Sequence, residues 1–378
     1  MREIIYFDNA ATTFPKPKSV SEAVADAITH CGGNPGRGSH ILSERASELV
    51  FDTRECAAEM FGASAENVAF TLNATHALNL AIKGLACKGT HILIDNFAHN
   101  AVLRPAAALK QSGQCTLEVY DASKSDSETA ANVLSLIKDE NTLVVATHQS
   151  NISSKVLPIR NIGRVCAEAG CPFVVDASQS AGHLPVDLVK DGITSLCMPA
   201  HKGLYGIMGA GMLISSPYAH YTTIIEGGSG VASLEAKMPD QLPERLEAGT
   251  APLPAIAALK AGMEFVRKTG VERIHSHESA LAERFAERVK KIDRITIRAE
   301  HSGPAVSLTV DGISPSEVGE YLNERGICVR TGYHCAPLAH KTVGTLSTGS
   351  VRFGFSYFNT PAEVDYAADV LQKLCLTK

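Results

Sequence analysis

The stretch Pro172-Phe173-Val174-Val175-Asp176, continued by Ala177-Ser178-Gln179-Ser180-Ala181-Gly182-His183, decides how this chain is read. Its apolar, β-branched run is bounded by turn residues and stops at a carboxylate, the pattern of a buried strand with an acid at its C-terminal end. A second apolar segment, Ile193 to Met198, leads into Ala200-His201-Lys202-Gly203. Strands that alternate with helices from residue 67 to about 215 predict an α/β fold with a mostly parallel, doubly wound sheet. Ligands in such sheets lie at the carboxyl ends of the strands, where Asp176 and Lys202 are expected together. A lysine that bonds an aldehyde and an acid that keeps a pyridine nitrogen protonated are what a pyridoxal phosphate site needs. Taken alone, Asp176 also suits a helix cap and Lys202 a solvated surface.

Composition narrows the class. With 378 residues the chain is long enough for a large core and two domains. A net charge of −5 and the lack of a basic run argue against a nucleic-acid surface. The N-terminus is too poor in apolar residues for a signal peptide, and no apolar stretch approaches the roughly 20 residues that span a bilayer. Ten cysteines without a CxxC pair or zinc spacing suit reduced thiols in the cytoplasm, with no metal site expected. A dinucleotide fold is excluded by the absence of GxGxxG after a strand.

Along the chain, Ile4 to Phe7 reads as a short strand, prolines hold the next loop extended, and Asn34 to His40 is a glycine-rich loop. Ser43 is expected to cap a helix reaching about Phe61. A strand from Asn67 to Thr71 runs into Leu72-Asn73-Ala74-Thr75-His76 and a helix through Leu85, a turn that offers amides and a hydroxyl to an anion. Thr75 is there either an anion ligand or a helix cap. Strands are expected over His91 to Asp95 and Leu143 to His148. From about Leu253 a long helical region to Lys291 precedes an alternating strand, Ala305 to Val310. Ser314-Pro315-Ser316-Glu317 and Thr360-Pro361-Ala362-Glu363 are helix starts. The expected division is a large domain over 20–255 and a small α+β domain of 1–19 plus 256–378.

Taken together, the motifs from Tyr6-Phe7-Asp8-Asn9-Ala10-Ala11-Thr12-Thr13 to Phe353-Gly354-Phe355-Ser356-Tyr357-Phe358-Asn359-Thr360 resemble the class V aminotransferase superfamily, of pyridoxal phosphate fold type I, and within it the cysteine desulfurases. The resemblance implies Lys202 as the lysine that carries the cofactor. It implies Asp176 at the ring nitrogen, His99 stacked on the ring and Gln179 on its hydroxyl. Thr75, the backbone of His76 and His201 fall to the phosphate, and Thr250 to the phosphate of a partner subunit, hence a homodimer with shared sites. Asn151 and Arg352 fall to the substrate carboxylate.

Val329-Arg330-Thr331-Gly332-Tyr333-His334-Cys335-Ala336 resembles the loop that makes a desulfurase of such a fold. Cys335 is its nucleophile, and cationic Arg330 and His334 would favour thiolate if close in space. The implied activity converts L-cysteine to L-alanine and leaves the sulfur on Cys335 as a persulfide, with His99 aiding proton transfer. The short span from Cys335 to Arg352 resembles the members served by a dedicated sulfur-acceptor protein. Selenocysteine lyase and cysteine β-lyase would use nearly the same residues, and a non-turnover sulfur carrier or regulatory module is the reading outside enzymology. Two departures stand out: Ser153-Ser154-Lys155 replaces a glycine-containing turn, and Pro199, which cannot donate a hydrogen bond, replaces a serine or threonine.

Overall fold

A computed structural model of the chain describes residues 4–36, 38–298 and 303–377; Arg37, in the expected loop 34–40, lies outside them. Seven strands form the main sheet, in the order Val68–Thr71, Gly211–Ser215, Ser195–Pro199, Phe173–Asp176, Thr142–Thr147, His91–Asp95, Thr116–Tyr120. Only Gly211–Ser215 runs against its neighbours. The period-2 geometry of a strand sends alternate side chains to opposite faces. Val144, Val175 and Leu196 accordingly join one apolar core, while Val145, Val174 and Cys197 join another. Helices cover both faces: Ile41–Phe61, Ile159–Glu168 and Leu253–Thr269 contribute to the first core, Ala74–Leu85 and Asn100–Gln111 to the second. Burial on both faces is why these strands read as continuous apolar runs.

A second sheet is antiparallel, in the order Arg330–Gly332, Ser350–Gly354, Ala305–Val310, Ile295–Ile297. It has its own core, in which Leu281, Phe285, Val306, Phe353 and Leu371 meet Phe7 from the start of the chain. Ile5–Tyr6 pairs in parallel with Ile327–Cys328. The N-terminal segment then leaves this unit, and the amide of Thr13 reaches the carbonyl of His201 at 3.1 Å.

Three local expectations differ in detail. The helical region before residue 291 is two helices, Leu253–Thr269 and Val271–Val289, because Gly270 adopts φ 92°, a conformation a helix interior does not allow. The first of these straddles the expected division at 255/256 and buries Ile256, Leu259 and Met263 in the core of the main sheet. The helix Ile41–Phe61 starts earlier than expected, since His40 caps it with Nδ1 accepting from the Ser43 amide. Ser43 instead donates its hydroxyl to the Asn34 carbonyl. Both Ser/Thr-Pro-x-Glu helix starts form reciprocal caps, Ser314 with Glu317 and Thr360 with Glu363.

Candidate active site

Asp176 and Lys202 meet because two turns touch main chain to main chain. Gly182, at φ 100°, lies so close that an added Cβ would sit 2.0 Å from the Gly203 carbonyl oxygen. A Cβ on Gly203 would sit 2.3 Å from the Ala181 oxygen. Glycine at both positions lets the loop after Asp176 close on the lysine turn. At this edge lies a cavity of about 100 Å³, lined by Thr75, His99, Asn151, Asp176, Gln179, His201 and Lys202, with Pro199, Asn73, Thr147 and Gln149 among their neighbours. His76, Thr250, Arg352 and Cys335 do not line it.

The electrostatics suit reversible chemistry on an amine. Lys202 makes no side-chain hydrogen bond among the described residues. Burial of its ammonium, opposed by Asp176, holds its pKa down at about 8. Asp176 is buried and accepts the Ser178 amide through Oδ1 at 2.9 Å, leaving Oδ2 open to a donor. His99 caps the helix Asn100–Gln111, its Nδ1 accepting from the Ala101 amide at 3.0 Å. Desolvation lowers its pKa to about 4, although Asp176 pulls the other way. The ring is therefore neutral near pH 7 with its proton on Nε2. His201 is likewise neutral, its pKa lowered to about 4 by burial and then by Lys202 and Lys16.

At the other end of the cavity, Asn73 caps Ala74–Leu85 and its Oδ1 takes the amide of His76 at 2.9 Å. The expected contribution of the His76 backbone to an anion is thus already used within the helix cap. The first-turn amides of Ala74 and Thr75 keep no intrahelical acceptor, as at any helix start. His201 Nδ1 and Thr147 Oγ1 are buried without partners. Gln179 Nε2 donates to the Ala10 carbonyl at 2.9 Å, which fixes its side chain to the N-terminal segment.

Cys335 is exposed. Its carbonyl accepts the amide of Asn100, the residue after His99, at 2.8 Å. His334 and Cys335 are both left-handed, at φ 47° and 58°. His334 is buried, with Nε2 3.2 Å from Ser350 Oγ and its ring stacked on His340 at 5.6 Å. Burial and Arg352 push its pKa to about 2. The expected cationic neighbour is therefore an uncharged structural ring, because its site excludes water and already holds a guanidinium.

Arg352 is buried behind the cavity. Its Nη2 contacts Asp8 Oδ1 at 3.0 Å, its Nη1 the Asn151 carbonyl at 3.2 Å, and Nε has no partner. Asp8 as the ion partner, and Lys16 bonded to the His201 carbonyl at 2.8 Å, escaped the reading of the sequence. The only available signal was their place in the proline-rich N-terminal motif. Thr250 is exposed, on a segment that Glu247 secures through both Arg54 nitrogens and the Phe70 amide.

The residues present fit pyridoxal phosphate: an unengaged lysine, an acid with one oxygen open, a neutral imidazole on the wall, and unpartnered donors at a helix N-terminus. Comparison with known proteins agrees. The Aminotransferase class-V family matches residues 5–367. A probable cysteine desulfurase of Methanothermobacter thermautotrophicus is 30% identical over 99% of this chain and 95% of its own length. One of Pyrococcus abyssi is 31% identical over 99% of this chain and 94% of its own. The apo structure of the cysteine desulfurase from Thermococcus onnurineus NA1 superposes with a TM-score of 0.89 at 29% identity, covering 99% of this chain and 95% of that one. Fold, cofactor chemistry and sequence agree, and the chain belongs to the class V aminotransferase family.

Proposed function

We propose that this protein is a pyridoxal phosphate-dependent cysteine desulfurase. It takes L-cysteine to L-alanine and passes the sulfur to Cys335 as a persulfide, then to an acceptor. The observation that carries this reading is an exposed cysteine whose own carbonyl accepts the amide of Asn100, the residue after His99 on the wall of the Lys202 cavity.

Bound pyridoxal phosphate supplies an aldehyde for amine capture and a protonated ring that takes up electrons. Lys202 Nζ would hold the cofactor and, as a free amine, would take the α-proton; a pKa near 8 suits both tasks. Asp176 Oδ2 would keep the ring nitrogen protonated. His99 would lie against the ring, and its neutral imidazole could give a proton from Nε2. Gln179 would meet the ring hydroxyl. Thr75, the helix start before His76, and His201 would hold the phosphate. Arg352 would take the substrate carboxylate, a fork-shaped guanidinium suiting the task; the Asn151 side chain, expected at the same group, instead turns its amide to the His334 carbonyl at 2.9 Å. The Cys335 thiolate attacks the substrate sulfur; an S–S bond forms as the Cβ–S bond breaks, and its electron pair stays with the carbon fragment. That fragment gains protons and leaves as alanine. An acceptor thiolate then attacks the outer sulfur of the persulfide and restores the Cys335 thiol.

Several features support the wider reading. Thr250 is exposed outside its own cavity, as a residue serving a partner's phosphate in a homodimer would be. Residues 336 to 351, 16 in all, separate Cys335 from Arg352, a span suited to an acceptor protein that comes to the enzyme. All ten cysteines are unpaired, and no described helix is long and apolar enough to cross a membrane, in keeping with a cytoplasmic enzyme. A large unit around the main sheet, with the helix Leu253–Thr269, and a small one around the second sheet, with the start of the chain, would put the lysine and the nucleophile on different units. The test is intact-mass analysis after incubation with L-cysteine: one added sulfur on wild type and none on Cys335→Ala. A sulfur adduct retained by Cys335→Ala would overturn the assignment.

A further inference from the structure

We infer that the Asn151 side chain positions the Cys335 sulfur, and that the turn 151–154 thereby sets the distance between the nucleophile and Arg352. The inference rests on the desulfurase reading and goes beyond it. Asn151 is buried, and its two ends serve different groups. The side-chain Nδ2 donates to the carbonyl of His334 at 2.9 Å, while the main-chain oxygen accepts Arg352 Nη1 at 3.2 Å. One residue is therefore bonded both to the loop that carries the attacking sulfur and to the arginine assigned to the substrate carboxylate.

The loop needs such an anchor. His334 and Cys335 are consecutive non-glycine residues at φ 47° and 58°, a conformation that persists only where the surroundings over-determine it. Two carbonyl anchors hold it, Asn151 Nδ2 on residue 334 and the Asn100 amide on residue 335. Asn151 lines the cavity, and Asn100 lies between two residues that do.

The turn itself is stitched to the second sheet by two serines. Ser154, at φ 58°, donates its hydroxyl to the Ala305 carbonyl at 2.8 Å and accepts the Ala305 amide at 3.0 Å. Ser307 Oγ donates to the Ile152 carbonyl at 2.7 Å. Where a glycine would ease the left-handed turn, the serine hydroxyl instead ties the edge of the Ala305–Val310 strand to the cofactor side. Asn151 acts through Cys335 and is a positioning residue in this respect.

Truncation of Asn151 to alanine removes the His334 anchor and leaves the main-chain acceptor of Arg352 in place. The loss should fall on the chemical step rather than on substrate affinity. Holoenzyme kinetics with L-cysteine and the rate of Cys335 alkylation by iodoacetamide, read by peptide mass spectrometry, test this. For Asn151→Ala we expect kcat to fall about 10- to 100-fold, KM to move less than about twofold, and alkylation to quicken about threefold or more as the loop loosens. If Asn151→Ala does not fold, Ser154→Ala is read the same way, with a smaller loss of the same kind. A rise in KM with kcat retained, or alkylation at the wild-type rate, overturns the inference. Wild type that makes no alanine from L-cysteine would sink the desulfurase reading instead, and the alkylation comparison would still decide the role of Asn151.

Discussion

In the proposed reaction Lys202 and Cys335 divide the chemistry, and their variants should fail differently. Lys202→Ala is expected to abolish all turnover, because neither cofactor capture nor α-proton removal has a substitute amine. Cys335→Ala is expected to keep the visible absorbance of the bound cofactor and to lose sulfide release from L-cysteine. Sulfide at the wild-type rate from Cys335→Ala would contradict the persulfide step. Sequence motifs singled out Asp176, Lys202 and the cysteine, since each sits in a short, chemically distinctive string, and the structure brings Asp176 and Lys202 to one cavity. They could not reveal the charge state of His334, which depends on burial beside Arg352. Nor could they pair Asp8 with an arginine 344 positions away, or show that Asn73 already occupies the amide of His76.

Among the elements, the contact between the Gly182 and Gly203 turns carries the site. Gly182→Ala would force both a side chain at φ 100° and a Cβ 2.0 Å from a carbonyl oxygen. It should cost about 3 kcal/mol or more of stability and weaken cofactor retention, measurable by thermal melts and by absorbance after gel filtration. A variant of wild-type stability with full cofactor would show that the two turns can separate without consequence. The strands were legible because two-face burial writes continuous apolar runs, and two helix starts because their caps are local. The break at Gly270 and the cap by His40 were not. A single glycine is tolerated in many helices, and a histidine becomes a cap only when the Ser43 amide is brought to its ring. The sequence showed Ser153 to Lys155 only as a departure from a glycine-containing turn; the bonds between the Ser154 hydroxyl and Ala305 depend on a strand 151 positions away.

Across the whole molecule, buried neutral histidines set the response to acid. Burial lowers the pKa of His99, His148 and His201 to about 4, of His183 to about 3 and of His334 to about 2. Below pH 6.5 the unfolded chain binds protons at these rings that the folded chain does not, so stability falls as pH falls. Asp95, raised to about 6, and Glu278, raised to about 8, work the other way and offset part of the loss. A drop on the order of a few kcal/mol between pH 6.5 and 5 is expected; thermal melts of equal Tm across that range would contradict it. The same assembly joins two sheets through the N-terminal segment, the turn 151–154 and the cysteine loop, so that a lysine on one and a thiol on the other can serve one substrate. The most direct measurement is a product balance with purified holoenzyme, L-cysteine and a thiol reductant, quantifying alanine and sulfide together. Equal amounts of both, lost together in Cys335→Ala, are the result predicted for a desulfurase; pyruvate and ammonia in place of alanine would make the enzyme a β-eliminating lyase and contradict the account.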